Sequence, residues 1–294
     1  TSTELHYVNH STEVMPGGLE LTTIFLKDPS YPFYVEIYLK AYPETSIMEI
    51  WNSISHEENG EITLYRYASA SPVFKAREYW LTQFIGNYKH EATLSEEKLS
   101  EGIKILDSKL GIRATQMRIP SFMLSVDRKA EENSGEIFAA SLSWPGSFQL
   151  AFEMDWNKNL RILTGMNPIG AQYHLQRGEK FNTPAIVWAY SKKGKGDISR
   201  KFHRWSINYV IRDPKKNRPV LLNNWEATQC DFDEKKLINL FDAAKQVGAE
   251  LFLLDDGWFG NGEFSRDDDK RGLGDWQVSY KKLPNGFPYL VKEA

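Results

Sequence analysis

The 294-residue sequence contains a single cysteine, Cys230, so no disulfide can form within the chain. The six histidines have no metal-ligand spacing, which disfavours a structural zinc site built from Cys and His. No apolar run approaches the roughly 20 residues that a membrane-spanning helix requires. A formal net charge of −3 argues against nucleic-acid binding through phosphate contacts. We therefore expect no metal, no cofactor, no nucleic acid and no membrane among the protein's partners.

The chain begins without methionine, and its first 14 residues lack the apolar core of a signal peptide. We expect the natural N-terminus to lie upstream, so the missing signal does not decide the compartment. A lone cysteine is compatible with the cytoplasm, which we favour, but does not require it. Hydrophobic residues make up 41% and charged residues 26%, values that are typical of a folded globular protein.

Residues 1–190 show the pattern of many short strands. Between Tyr34 and Ala41, apolar and polar residues alternate, which is typical of an antiparallel strand with one solvated face. Turn signals such as Pro16-Gly17-Gly18 and Asn133-Ser134-Gly135 separate similar runs. These runs are Leu19–Leu26, Ser46–Asn52, Glu61–Ala68, Ser121–Val126, Glu136–Trp144 and Leu160–Gly165. The pattern predicts a mainly β fold with an antiparallel β-sandwich.

The pattern changes after Tyr190, where helical periodicity begins. Asp197 is a suitable helix N-cap, and Pro214 is a suitable stop signal. The apolar stripe that follows the cap is formed by Ile198, Phe202, Trp205 and Tyr209. The polar stretch after Pro214 reads as a linker, so we predict one domain over residues 1–214 and a second over residues 215–294.

A strand, a helix and a second strand follow within about 40 residues. Pro219–Trp225 predicts the first strand, Asp231 and Glu234 resemble a capping box for the helix, and Gly248 ends it. The predicted buried helix face consists of Leu237, Leu240, Phe241, Ala244 and Val247. The four apolar residues before Asp255 predict a strand that is buried on both faces. This βαβ unit suits the start of a (β/α)₈ barrel, which takes about 250 residues, so the barrel is expected to be incomplete here.

Two adjacent carboxylates, Asp255 and Asp256, follow the second predicted strand. In a (β/α) barrel this end of each strand faces the active site, and carboxylates near aromatic rings favour a sugar ligand. A structural alternative is an ion pair with Arg266 or Arg271. Consecutive strand residues point to opposite sides of a sheet, so the two aspartates do not suit the nucleophile and acid/base pair of a glycosidase.

Four short segments resemble the α-galactosidases of glycoside hydrolase family 36 in order and spacing. They are Leu222–Ala227, Leu254–Phe259, Gly274–Trp276 and Leu283–Gly286. The resemblance implies a β-supersandwich in front of a catalytic (β/α)₈ barrel, and retaining hydrolysis of terminal α-linked galactose, as in raffinose and melibiose. It also implies that Asp255 and Asp256 bind the galactose hydroxyls at C4 and C6, and that Trp225 is an active-site tryptophan.

The family places its catalytic aspartates on later barrel strands, so the resemblance implies that this chain alone is inactive. It also implies a homo-oligomer in the full-length protein. Trp258 is a further candidate for substrate contact, although packing explains Trp225 and Trp258 as well. Two other functions stay open, a galactosyl transferase of the raffinose-synthase kind and a non-catalytic carbohydrate-binding sandwich. Residues 266–272 lack the ligand set of a calcium loop, which favours a charged surface loop.

Overall fold

The computed structural model describes residues 3–113 and 118–294, and of Arg113 only the backbone. The chain divides into two compact units, Thr1–Arg212 and Asp213–Ala294. Each unit contains hydrophobic clusters of its own. Within the described residues, no helix combines the length and the apolar character needed to cross a membrane.

A large antiparallel sheet is the main feature of the first unit. Its strands run in the order β1 (His6–Met15), β2 (Leu19–Lys27), β3 (Phe33–Tyr42), β4 (Ile47–His56), β16 (Ile186–Ser191), β11 (Ile137–Leu142), β10 (Arg118–Val126), β7 (Tyr79–Ile85) and β8 (Thr93–Lys98). A short strand, β15 (Lys180–Asn182), also pairs with β4. The long strands predicted at residues 19–26, 34–41 and 121–126 are therefore confirmed.

A smaller sheet covers one face of the large one. Its strands run in the order β6 (Val73–Lys75), β13 (Asn159–Met166), β12 (Phe148–Met154) and β9 (Gly102–Ser108), and a separate pair joins β14 (Tyr173–Leu175) to β5 (Ile62–Leu64). Leu81 and Leu124 from the large sheet meet Leu150 and Ile162 from the small sheet in one cluster, and none of the four is exposed. The two sheets thus pack face to face, which confirms the predicted sandwich.

The strand predicted at Glu61–Ala68 is shorter in the structure. Only Ile62–Leu64 forms a strand, paired with Tyr173–Leu175. The carbonyl of Ala68 accepts a hydrogen bond from Asn52 Nδ2 at 2.7 Å. A side chain thus satisfies the backbone group that a longer strand would have paired in a ladder.

Helix α1 (Gly194–Trp205) continues as one π-helical turn over Ser206–Val210 and packs on the other face of the large sheet. The predicted N-cap at Asp197 is wrong, because the helix begins three residues earlier. Asp197 instead accepts a hydrogen bond from Ser191 Oγ at 2.6 Å. The predicted apolar stripe is confirmed, because Ile198 is fully buried and the other three residues pack against the same cluster.

The second unit contains the predicted strand–helix–strand arrangement. Its elements are β17 (Leu221–Asn223), α2 (Trp225–Thr228), α3 (Glu234–Gln246), β18 (Leu251–Leu253) and α4 (Gly286–Glu293). β17 and β18 pair in parallel, with Leu221 opposite Leu251 and Asn223 opposite Leu253. Leu237 and Leu283 are fully buried at the centre of the hydrophobic cluster beside them.

Two details of helix α3 differ from the prediction. Its N-cap is Asp233, whose carboxylate accepts from the backbone N–H of Lys236 at 2.8 Å, whereas the side chain of Asp231 is fully exposed. Val247 follows the last helical residue and is 75% exposed, so it does not belong to the buried face. The predicted stop is confirmed, because Gly248 adopts a φ of +80° directly after the cap.

The prediction that strand β18 is buried on both faces is also wrong. Leu251 and Leu253 are 47% and 46% exposed. Phe252, between them, packs against Phe241 of helix α3 with ring centroids 4.7 Å apart. Alternate side chains of a strand point to opposite faces, and within the described residues the helices cover only the Phe252 face.

Candidate functional site

The carboxyl ends of β17 and β18 bring two polar side chains together. Asn223 ends β17 opposite Leu253, and Asp255 lies two residues beyond Leu253 on the same strand path. Asn223 Nδ2 donates to Asp255 Oδ2 at 2.6 Å. Asp255 thus extends the exposed face of β18, and its carboxylate is held by a neutral amide.

The same amide also fixes the start of helix α2. Asn223 Oδ1 accepts from the backbone N–H of Trp225 at 2.7 Å. One side chain therefore connects two predicted sugar-binding residues, the carboxylate of Asp255 and the backbone of Trp225, whose side chain is only partly buried. Sequence reasoning missed Asn223, although the shared edge of two parallel strands was a signal that could have found it.

Asn224 holds the backbone of Asp255 from the buried side. Its side chain is fully buried, its Oδ1 accepts from the N–H of Asp255 at 2.7 Å, and its Nδ2 donates to Thr228 Oγ1 at 2.9 Å. Asp255 Oδ1 in turn accepts from the N–H of Asp256 at 2.7 Å. The position of the carboxylate pair is therefore fixed by hydrogen bonds on both strands.

Asp256 has a different partner, the guanidinium of Arg266. Arg266 Nε lies 2.9 Å from Oδ1 and 3.0 Å from Oδ2 of Asp256, and Nη2 lies 2.6 Å from Oδ2. These hydrogen bonds hold the pKa of the Asp256 carboxyl below its ordinary value, against the opposing effect of burial. The side chain of Arg266 is 6% exposed and that of Asp256 is 21% exposed, so the ion pair leaves part of the carboxylate accessible.

The sequence analysis left open an ion pair between the aspartates and Arg266 or Arg271, and the structure shows this ion pair between Asp256 and Arg266. The two neighbouring carboxylates have separate environments, a neutral amide at Asp255 and a cation at Asp256. Within the described residues no lysine or arginine forms an ion pair with Asp255. Hydroxyl binding by either aspartate stays a prediction, and Asp255 is the one whose charge has no cationic partner in the described part of the chain.

Trp258 lies within the aromatic part of the second unit's core. Its ring centroid is 5.0 Å from that of Phe287, 5.1 Å from that of Phe259 and 6.4 Å from that of Trp276. The side chain is partly buried by these contacts. Packing therefore accounts for much of its surface, and contact between Trp258 and a sugar stays a prediction.

The stretch that follows is more than the charged surface loop that the sequence favoured. Asp267, Asp269 and Lys270 are exposed, but Arg266 is only 5% exposed. Lys282 is also buried, at 8% exposure. The sequence offered Arg266 as a possible ion-pair partner of the aspartates. It gives no local signal for the burial of Lys282, because the carbonyl groups that hold Lys282 are 16 to 52 residues away in the chain.

Three potential metal ligands lie close together beside Arg266. The Sγ atom of Cys230 and one carboxylate oxygen each from Asp256 and Asp269 lie within 4.8 Å of one another. The guanidinium of Arg266 contacts both carboxylates, at 2.6 and 3.3 Å. Burial raises the pKa of the Cys230 thiol, which favours the protonated form over the thiolate that binds metals. The donor set therefore fits a charge-compensated cluster around Arg266 better than a metal site.

Both units of the chain are similar to known proteins. Residues 1–176 match the profile of the glycosyl hydrolase family 36 N-terminal domain, and residues 180–294 match the melibiase profile. α-Galactosidase AgaA from Geobacillus stearothermophilus is 33% identical over 290 residues, which cover 98% of this chain and 38% of that protein. α-Galactosidase Mel36A from Lactobacillus acidophilus is 36% identical over 246 residues, which cover 82% of this chain and 33% of that protein.

The fold matches as well. The crystal structure of AgaA from Geobacillus stearothermophilus superimposes with a TM-score of 0.92 at 31% identity, covering 100% of this chain and 42% of that one. The structure of an AgaA variant in complex with 1-deoxygalactonojirimycin gives a TM-score of 0.93 at 31% identity, with the same coverage.

A β-sandwich followed by a parallel βαβ unit, with two aspartates after its second strand and glycosidases matching its whole length, defines a glycoside hydrolase architecture. The chain belongs to glycosyl hydrolase family 36. It spans 28% to 41% of the length of the curated relatives that it matches.

Proposed function

We propose that the protein is a retaining α-galactosidase that releases terminal α-linked galactose from oligosaccharides such as raffinose and melibiose. The family assignment supports the reaction class. AgaA variants have been crystallised in complex with raffinose and with stachyose, which supports galactosyl oligosaccharides as the substrate class. The observation that carries the proposal for this chain is the carboxylate of Asp255, held by Asn223 at the carboxyl end of two paired parallel strands.

Galactose recognition is the role that we assign to this chain. Asp255 and Asp256 accept hydrogen bonds from the hydroxyls at C4 and C6, and Trp225 and Trp258 supply apolar ring surface beside the sugar. The axial C4 hydroxyl distinguishes galactose from glucose, and a carboxylate left buried without this partner penalises the wrong epimer. The lowered pKa of Asp256 keeps its carboxylate ionised, and an ionised carboxylate is the stronger hydroxyl acceptor.

The nucleophile and the acid/base are, in this proposal, not among these 294 residues. A retaining glycosidase needs two carboxylates about 5–5.5 Å apart with the glycosidic bond between them. Asp255 and Asp256 do not suit these roles, because consecutive residues along a strand point to opposite sides and Asp256 is neutralised by Arg266. The 294-residue chain by itself should not hydrolyse 4-nitrophenyl α-galactoside. Hydrolysis by the purified chain, lost in an Asp255→Asn variant, would contradict this part of the proposal.

Product analysis separates hydrolysis from galactosyl transfer. The full-length protein is incubated with raffinose in water containing competing sugar acceptors, and the products are resolved by chromatography. We expect free galactose and sucrose as the main products. Galactosylated acceptors in excess over free galactose would show a transferase instead. Galactose binding that survives deletion of residues 218–294 would support the third possibility, a non-catalytic carbohydrate-binding sandwich.

A homo-oligomer is part of the proposal, and strand β1 supports it. This edge strand of ten residues is exposed along nearly its whole length, and Tyr7, Val8 and Val14 are 61%, 55% and 77% exposed. A long exposed edge strand with apolar side chains is a template for pairing with another chain. We assign that role to a second copy of the protein. Light scattering after size-exclusion chromatography tests this assignment, and a monomeric full-length protein would contradict it.

A further inference from the structure

A buried lysine joins three backbone segments beside the candidate site. Lys282 Nζ donates to the carbonyl oxygens of Cys230, Gly257 and Arg266 at 2.7, 2.9 and 2.9 Å. Its side chain is 9% exposed, and Asp267 Oδ1 lies 3.2 Å away. An ammonium group has three protons, and the three carbonyl groups account for all of them. Lys282 therefore ties the segment after helix α2, the turn after Asp256 and the loop of Arg266 to one point.

Arg266 connects Lys282 to Asp256. Its carbonyl is held by Lys282, and its guanidinium contacts Asp256 through Nε and Nη2. The guanidinium also donates to the carbonyl of Arg271 at 2.9 Å and to Asp269 at 3.3 Å, and it lies over the ring of Phe259. Lys282 thus fixes the position of the loop, and Arg266, which belongs to that loop, fixes the Asp256 carboxylate.

Stability alone does not explain two buried cations at this place. The cost of removing charges from water cancels much of the attraction, so buried ion pairs are a weak source of stability compared with apolar packing. What a two-pronged guanidinium–carboxylate contact provides is orientation, since it fixes the plane of the carboxylate. Asp256 is the group so oriented, and a fifth of its side chain stays accessible.

We propose that Arg266 and Lys282 are positioning residues of the galactose subsite, holding the Asp256 carboxylate in the orientation that receives a sugar hydroxyl. This inference rests on the proposed function. A carboxylate that is already oriented does not lose conformational freedom when the sugar binds, so the arrangement favours binding. Neither cation contacts the sugar in this account, and both act through Asp256.

Steady-state kinetics of the full-length protein with 4-nitrophenyl α-galactoside tests the inference. Arg266→Gln removes both the charge and the two-pronged contact, and Arg266→Lys keeps the charge alone. We expect KM to rise by about tenfold in the Gln variant and less in the Lys variant, with kcat changed less than about threefold, because ground-state binding is what is lost. Lys270→Gln, which removes an exposed positive charge from the same loop, is the matched control and should leave both constants unchanged.

The pH profile gives a readout that a purely structural role would not move. Besides Arg266, the charged or titratable groups near Asp256 in the described residues include Lys282, Asp269, Cys230 and the adjacent Asp255. Without the guanidinium, the pKa of Asp256 rises, so the acid limb of kcat/KM should move to higher pH in Arg266→Gln. It should move less in Arg266→Lys, which keeps a cation beside the carboxylate. A lower thermal midpoint with an unmoved acid limb and an unchanged KM would overturn the inference.

Lys282 is tested in the same way with a neighbouring control. Lys282→Met should raise KM, whereas Lys281→Met should not, because the side chain of Lys281 is 80% exposed. If Lys282→Met or Arg266→Gln does not fold, Arg266→Lys decides, and wild-type KM and pH profile in that variant overturn the inference. If the wild-type enzyme is active and only the variants fail to show these changes, the positioning role is wrong but the proposed function stands. A wild-type protein without galactosidase activity or galactose binding would overturn both.

Discussion

Asn223 ends one of two neighbouring parallel strands and Asp255 follows the other, and Asn223 Nδ2 donates to Asp255 Oδ2 at 2.6 Å. The same amide accepts the backbone N–H of Trp225 through its oxygen. A single neutral side chain thus orients a carboxylate and anchors a tryptophan, the two kinds of group that a sugar site requires.

Asn223→Ala should weaken galactose binding by the full-length protein. The Asn223–Asp255 hydrogen bond is present without the sugar, so its loss acts on binding by releasing the carboxylate from its orientation, and we expect Kd to rise by about tenfold, or about 1.4 kcal/mol. Isothermal titration calorimetry with galactose measures this, and Asn217→Ala, at an exposed position of the same unit, is the control. Equal affinities in wild type and Asn223→Ala would show that the amide does not position the site.

Asp233→Ala should destabilise the second unit, because it removes the side-chain acceptor for the backbone N–H of Lys236 at the start of helix α3. Loss of an N-cap typically costs about 1 kcal/mol. Urea unfolding of wild type and variant measures the difference. Asp231→Ala is the matched control, since the fully exposed Asp231 side chain does not cap the helix. A larger effect at Asp231 than at Asp233 would contradict the observed helix start.

Glu96 should contribute stability that depends on pH. Its side chain is 7% exposed and pairs with both Lys195 and Lys129, the latter at 3.1 Å. Burial alone would raise its pKa, but the hydrogen bond from Lys195 and the ion pair with Lys129 outweigh burial and lower the pKa below the ordinary value of 4.5. A carboxyl group with a lowered folded-state pKa stabilises the fold above its unfolded pKa, and this contribution is lost as the pH falls through the folded value.

Glu96→Gln should therefore lower the free energy of unfolding by about 1–3 kcal/mol near neutral pH, with a shrinking difference below about pH 4.5. Urea unfolding of both proteins across this pH range measures the effect. Glu101→Gln serves as the control, because Glu101 is 56% exposed and its pair with Lys158 is solvated. A difference between wild type and Glu96→Gln that grows on acidification would have the wrong sign.

Gly257 should tolerate no side chain. Its φ is +97°, and an added Cβ would lie 2.9 Å from Cys230 Cα. Gly257→Ala therefore combines backbone strain with a backbone contact that cannot easily shift, and we expect a loss of more than about 2 kcal/mol. Gly262 has a φ of +60° and open space where a Cβ would lie. Gly262→Ala therefore introduces backbone strain alone, and the loss of unfolding free energy should be about 1 kcal/mol. Thermal unfolding of the two variants ranks them, and equal midpoints would count against the tight turn.

The sequence was sufficient for the sandwich, the βαβ unit and the position of the two aspartates. The antiparallel strands of the sandwich could be identified from the alternation at residues 34–41 and from the turn signals between runs. Alternation is a reliable signal because successive side chains of a strand point to opposite faces. Strands such as β7 and β12 were missed, since both their faces are largely buried and their sequences show no clean alternation. The start of α1 was missed because the turn at Gly194, with a φ of +79°, precedes the residue that resembled a cap.

The site was predictable only where its contacts are local. Asp255 and Asp256 stand out because two acids follow an apolar run. Arg266 could be named as a possible partner, because it lies ten residues after Asp256, but Asn223 could not, since it is 32 residues from Asp255. Lys282 was missed as well, because it is 25 residues from the Gly257 carbonyl that it holds. The register of β17 against β18 brings Asn223 into place, and the loop that carries Arg266 folds back by contacts that no local pattern encodes.

A crystal structure of the full-length protein in complex with 1-deoxygalactonojirimycin would show whether the two aspartates bind the sugar. The proposed galactose site predicts carboxylate oxygens of Asp255 and Asp256 within about 3.2 Å of the ligand hydroxyls at C4 and C6, with Asn223 and Arg266 still bound to them. An inhibitor that contacts neither aspartate, or that binds among residues 1–190, would contradict it.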